Sequence, residues 1–144
     1  MGIAKAQFND VLATIFDAGN TIRLYTKTPT EGVETDGTLL TGTGVMPYEI
    51  KSGDFSISQG QVTSARNIML YLYEGSPVTC DGFGVFKGNT TTNLLYFGKF
   101  TKEGVDTPID LNFNDVPAIK KYNSTNGEGI KITITSTEAS ASTV

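Results

Sequence analysis

The feature that most constrains this chain is a period-two alternation of apolar and polar residues. It recurs in short runs, each closed by Gly, Asn, Asp or Pro. Ile22, Leu24 and Thr26 alternate with Arg23, Tyr25 and Lys27. Ile109, Leu111 and Phe113 alternate with Asp110, Asn112 and Asn114, and Ile130, Ile132 and Ile134 with Lys131, Thr133 and Thr135. Successive side chains of a strand point to opposite faces, so each run reads as a strand with one side in a core. Further short strands are expected near 46–51, 55–58, 82–86 and 94–101. Turns are expected at Gly60-Gln61, at 89–93 and at Asn126-Gly127. Gly82 and Gly84 mark a strand that another backbone approaches closely. The spacing predicts a mainly β protein: one antiparallel β-sandwich of about seven or eight short strands.

One segment breaks the rule. Phe8, Val11, Leu12, Ile15 and Phe16 lie at i, i+3, i+4, i+7 and i+8, one stripe of a helix. The helix is expected over 3–17 and stops at Gly19-Asn20. It is short and needs a surface to lie on. The 144 residues read as one domain over 1–136 with a flexible C-terminal tail at 137–144. Residues 28–44 are mostly Thr, Gly, Glu and Asp and read as a long loop.

The segment 67–73 reads as the strongest strand. Ile68, Leu70 and Leu72 would face one way, and Met69, Tyr71 and Tyr73 the other. Both faces are apolar, as in a central strand, or in a strand with one face in the core and one in an interface. Met69, Tyr71, Tyr73, Phe8, Leu12 and Pro29 are therefore the candidate assembly contacts.

Chemistry has little to work with. The chain has no histidine, so the commonest general base and metal ligand are both missing. Its single cysteine, Cys80, reads as a buried small hydrophobe. Asp110-x-Asn112-x-Asn114-Asp115 imitates the start of a calcium loop, but Asp115 stands where that loop needs Gly and Lys121 where it needs an acid. A strand with an Asp and Asn outer face is the better account. The remaining carboxylates, Glu31, Asp36, Asp81, Glu103 and Glu128 among them, sit beside turn glycines as solvated loop charges. Gly42-Thr43-Gly44 lacks the Lys and helix of a phosphate loop. No catalytic, cofactor or metal site is expected, and no cofactor. Net charge is −4 with no basic stripe, which argues against nucleic acid. No apolar run is long enough for a membrane span. Met1 to Phe16 has no signal-peptide pattern, so folding is expected in a cytosol. Charged residues are 18% of the chain, and a polar, weakly charged surface loses little on packing against neighbours.

The order of these features resembles a family of small tailed-bacteriophage virion structural proteins, variously described as tail-fibre, minor tail or head-surface proteins. The resemblance covers about residues 3–120. It runs through the N-terminal helix, the strand Ile22-Arg23-Leu24-Tyr25-Thr26, Pro29, the loop 30–44 and Tyr48. It continues with Ile68 to Tyr73, Val78-Thr79-Cys80-Asp81-Gly82-Phe83 and Asn93-Leu94-Leu95-Tyr96-Phe97-Gly98. The sequence departs from the family pattern after Tyr48, where Glu49 replaces an Arg, and at Tyr25, often His. The resemblance implies a non-catalytic virion subunit; the weakly charged surface and the lack of shaft-like repeats point to a capsid decoration protein. It would be assembled in the host bacterial cytoplasm and would contact copies of itself and major capsid or tail proteins. The alternatives are a tail or fibre-attachment protein, or a carbohydrate-binding adhesive module displayed on the virion. A sugar-binding module would need exposed tyrosines around a concave patch, and a decoration protein flat apolar patches.

Overall fold

A computed structural model describes residues 4–134. Ile3 and the expected tail 137–144 lie outside the described residues. The molecule is mainly β, sandwich-like, with one helix. The helix, α1, spans Lys5–Ile15. Phe8, Leu12 and Phe16 form its buried line, whereas Val11 faces outward. Asn20 closes it, its Nδ2 donating to the carbonyls of Thr14 and Ile15 at 3.0 Å each. The same Asn20 accepts the Gly88 N–H through its Oδ1, which ties the helix end to a distant turn.

Among the described residues fourteen short strands follow, more than alternation alone suggested. The main sheet holds β1 (Thr21–Lys27), β2 (Thr38–Leu39), β3 (Tyr48–Glu49), β8 (Gly82–Phe86) and β9 (Leu94–Lys99). Its order is β2-β1-β8-β9, with β3 also on β1. The opposing layer is broken into small sheets. β4 (Phe55–Ser58), β5 (Gln61–Ser64) and β14 (Lys131–Thr133) form one. β6 (Ile68–Met69) pairs with β13 (Ala118–Ile119), and β7 (Val78–Cys80) with β12 (Ile109–Leu111). β10 (Thr101–Lys102) and β11 (Val105–Asp106) make an exposed hairpin.

Proline accounts for much of this fragmentation. Pro47, Pro77, Pro108 and Pro117 each stand immediately before a strand, namely β3, β7, β12 and β13. A residue without an N–H is tolerated at a strand's start and not within a ladder. The β4–β5 hairpin turns through Gln59 and Gly60, both at positive φ, the geometry a tight hairpin with native twist requires.

The core lies between the layers. Ile22, Leu24, Phe83 and Val85 come from the main sheet, Val62, Ile68, Cys80, Leu111 and Ile119 from the smaller ones, and Leu12 and Phe16 from α1. The helix packs over the β4–β5 hairpin. Phe16 and Phe55 meet with ring centroids 4.8 Å apart, and Asn9 Oδ1 accepts the Gly60 N–H. The main sheet is also covered on its other face, where Tyr25 and Phe86 are buried. The stretch 28–44 is more ordered than a plain loop. It contains β2, and the Asp36 carboxylate accepts both the N–H and the hydroxyl of Thr30.

Candidate functional site

The segment 67–73 departs from the long, doubly apolar strand its alternation predicts. Regular pairing ends at Met69. Leu70 N–H donates to the Pro117 carbonyl at 2.9 Å, but Pro117 has no N–H to return. Beyond it, Tyr73 N–H reaches Asp115 O and Asn114 N–H reaches Tyr73 O, both at 2.8 Å. Asn114 holds φ at +72°, and the Asp115 carboxylate accepts the Asn112 N–H at 2.7 Å. The partner segment is thus a turn, and the Asn112-x-Asn114-Asp115 motif is its hydrogen-bonding frame. It is neither a calcium loop nor a strand face. Among the described residues no group of three Asp, Glu, Cys or His could hold a metal.

The six expected contact residues separate accordingly. Met69 is 60% exposed beside the exposed Ala118, its Cα partner. Tyr71 is half-buried against the core, and burial pushes its phenol well up. Tyr73 is only 3% exposed and its hydroxyl donates to the Ser76 carbonyl. Phe8 and Leu12 are buried beneath the helix, and Pro29 is buried against Gly37. These last four are a correction to the expected contact set. A lone helix on a small domain covers its stripe with its own hairpin, and the Pro29 ring is closed in by its own loop. Three further apolar residues stand exposed on this segment and its partner, and alternation missed them: Leu72, Phe113 and Val116. Phe113, 62% exposed, reads in sequence as the third inward residue of its strand. β12 ends two residues earlier, at the Asn112 turn. The Asn-x-Asn-Asp run was the available signal. Met69 and Leu72 thus share a pair of hydrogen-bonded segments with Phe113 and Val116.

The polar groups capable of chemistry are tied into the fold. Asp81 accepts the Thr28 N–H at 2.8 Å, and Asp110 the Thr79 hydroxyl at 2.6 Å. The Cys80 thiol is fully buried, and burial, then the Asp81 charge, pushes it up to about 11, so it stays protonated and unreactive. A cleft of about 740 Å³ lies between the β10–β11 hairpin and the 123–130 turn. Phe100, Ile109 and Ile130 line it together with Lys102, Lys120 and Glu128. Lys120 Nζ is 2.8 Å from Glu128, whose carboxyl is held below its usual range chiefly by that contact. No tyrosine lines this cleft, and none of the six tyrosines is exposed. No helix among the described residues is long and apolar enough to cross a membrane.

No protein-family model matches the chain, and no curated protein sequence matches it.

Proposed function

We propose that this chain is a non-catalytic structural subunit of a tailed-phage virion, a decoration protein seated on the capsid surface. The observation that carries the reading is the group of exposed apolar side chains Met69, Leu72, Phe113 and Val116 on two adjoining segments. Large apolar side chains left exposed along adjoining segments suit contact with another protein. Met69 and Leu72 themselves carry no charge that must be desolvated, which suits a lasting contact. The carboxylates of Asp36, Asp54, Asp81, Asp110 and Asp115 each accept hydrogen bonds that hold the fold, which supports a structural role over an acid–base one. That none of the six tyrosines is exposed counts against the adhesive, sugar-stacking alternative. The test is the chain's copy number in purified particles. Many copies per head, released when the head is mildly destabilised, would support decoration. A few copies that co-purify with detached tails would replace it with the tail-attachment reading.

A further inference from the structure

Strand β9 has β8 on one side and, among the described residues, no strand on the other. Its sequence, Leu94-Leu95-Tyr96-Phe97-Gly98-Lys99, is apolar over five of six positions. An open apolar edge is a template for another strand. The hydrogen-bond pattern shows which groups are free. Phe100 N–H donates to Asp81 O at 2.8 Å, and Gly98 and Tyr96 are the Cα partners of Phe83 and Val85. Backbone groups alternate sides along a strand, so Gly98 and Tyr96 point theirs at β8 while Phe97 and Lys99 point theirs outward. Alongside lies a groove of about 380 Å³, walled by Glu31 and Glu34 and by Leu94 to Phe97. Two carboxylates beside an apolar edge select a strand that carries a cation.

We propose that the occupant is β9 of a second copy, paired antiparallel about a twofold axis at Phe97. With Phe97 opposite Phe97, the outward N–H and C=O groups of both copies meet. The second copy's Lys99 then comes level with Leu95, beside Glu31 and Glu34. The symmetry makes this contact twice, and the two main sheets join into one. Lys99 is available for it. Its ion pair with Asp106 is 3.6 Å long, and both side chains are more than half exposed, so little holds it there. The assembly stops at two copies, because the other end of the main sheet is the two-residue β2, too short to repeat the pairing. A register shift in β9 between Tyr96 and Leu94 ends the regular match at the Leu95–Lys99 pair. The pairing does not depend on the virion reading, and either can fail without the other.

The test is sedimentation velocity of the full chain over a concentration series, with amide hydrogen exchange followed residue by residue. The expected result is a monomer–dimer equilibrium in which the Phe97 and Lys99 amides gain protection as dimer forms. Lys99→Glu should weaken the dimer by about tenfold or more, since it sets like charges together twice. Combining it with Glu31→Lys and Glu34→Lys should restore pairing. Phe97→Pro, which removes an outward N–H, should abolish it. If that variant fails to fold, the Lys99→Glu and exchange results still decide. A chain that is monomeric at every concentration overturns the proposal. So does a dimer that ignores Lys99→Glu, or one that leaves the Phe97 and Lys99 amides unprotected.

Discussion

Asp54 carries a carboxylate into the interior, where it is 1% exposed. Its Oδ2 accepts the Tyr48 hydroxyl at 2.8 Å and the Lys51 N–H at 2.9 Å, and its Oδ1 accepts Arg66 Nε at 2.7 Å. Burial works to raise its pKa, but the Lys51 N–H, the Tyr48 hydroxyl and Arg66 together hold it below the usual carboxylate range. Tyr48 answers in kind, its phenol pushed up to about 12 by burial and by Asp54. A folded-state pKa below the unfolded one means stability that is present above the unfolded value, near 3.8, and lost as pH falls through the folded one. Asp54→Asn should therefore cost about 2 kcal/mol at neutral pH, since it weakens three hydrogen bonds at once. That gap should shrink as pH is lowered below about 4. Urea unfolding of both proteins across this range is the check, and a gap that stays constant would sink the electrostatic account. Nothing in the sequence singles out Asp54 among the fifteen acids. Its ion-pair partner lies twelve residues away, brought close only by the turn after β3 and the end of β5.

At the level of elements, β8 shows what local pattern reveals and what it conceals. Gly82 and Gly84 were legible as points of close approach, and the structure supplies the approaching groups. A Cβ on Gly84 would lie 2.7 Å from the Tyr25 ring and 3.0 Å from Leu94 and from Phe86. One on Gly82 would strike the Gly98 carbonyl and the Thr28 methyl. The missing side chain at Gly84 makes room for the Tyr25 and Phe86 rings, whose centroids are 6.2 Å apart, and every residue of β8 is buried. Gly84→Ala should destabilise the fold by about 1–3 kcal/mol through crowding. Tyr25→Leu, which withdraws the ring, should recover part of that loss in the double variant, as contacting residues do not act independently. Additive losses in thermal or denaturant unfolding would exclude the steric explanation. The helix was also legible, because its stripe and its Asn20 stop are local. The strand expected over 67–73 was not. Alternation describes one segment, whereas ladder length depends on the segment opposite. There Pro117 and the left-handed Asn114 end the pairing. They lie more than forty residues further along the chain.

For the molecule as a whole, two covered sheet faces and one helix leave a surface whose few apolar patches stand out. Sequence alone identified the sandwich and its main core positions, because period-two alternation records which side is buried. Of the six residues it offered as contacts, four are buried within the domain itself: Phe8, Leu12, Tyr73 and Pro29. Phe8, Leu12 and Tyr73 are apolar because this domain buries them itself, and a sequence does not distinguish a self-made interior from one made with a partner. Met69 and Tyr71 now separate the two cases within one segment. Met69 is exposed beside Ala118 and touches no core it could disrupt, so Met69→Asp should change folding stability by no more than about 0.5 kcal/mol. Tyr71 packs against the core cluster. Tyr71→Asp should place a charge against that apolar interior and lower stability by roughly 3 kcal/mol or more. Particle incorporation then divides the variants differently from stability. Met69→Asp should yield a folded, soluble chain that no longer joins the particle, while Tyr71→Asp should fail earlier, at folding. Thermal unfolding combined with a virion-incorporation assay reads both outcomes. A folded Met69→Asp chain that still incorporates at the normal level would remove this surface from the contact. An equally stable Tyr71→Asp chain would show that the half-buried tyrosine is not part of the core.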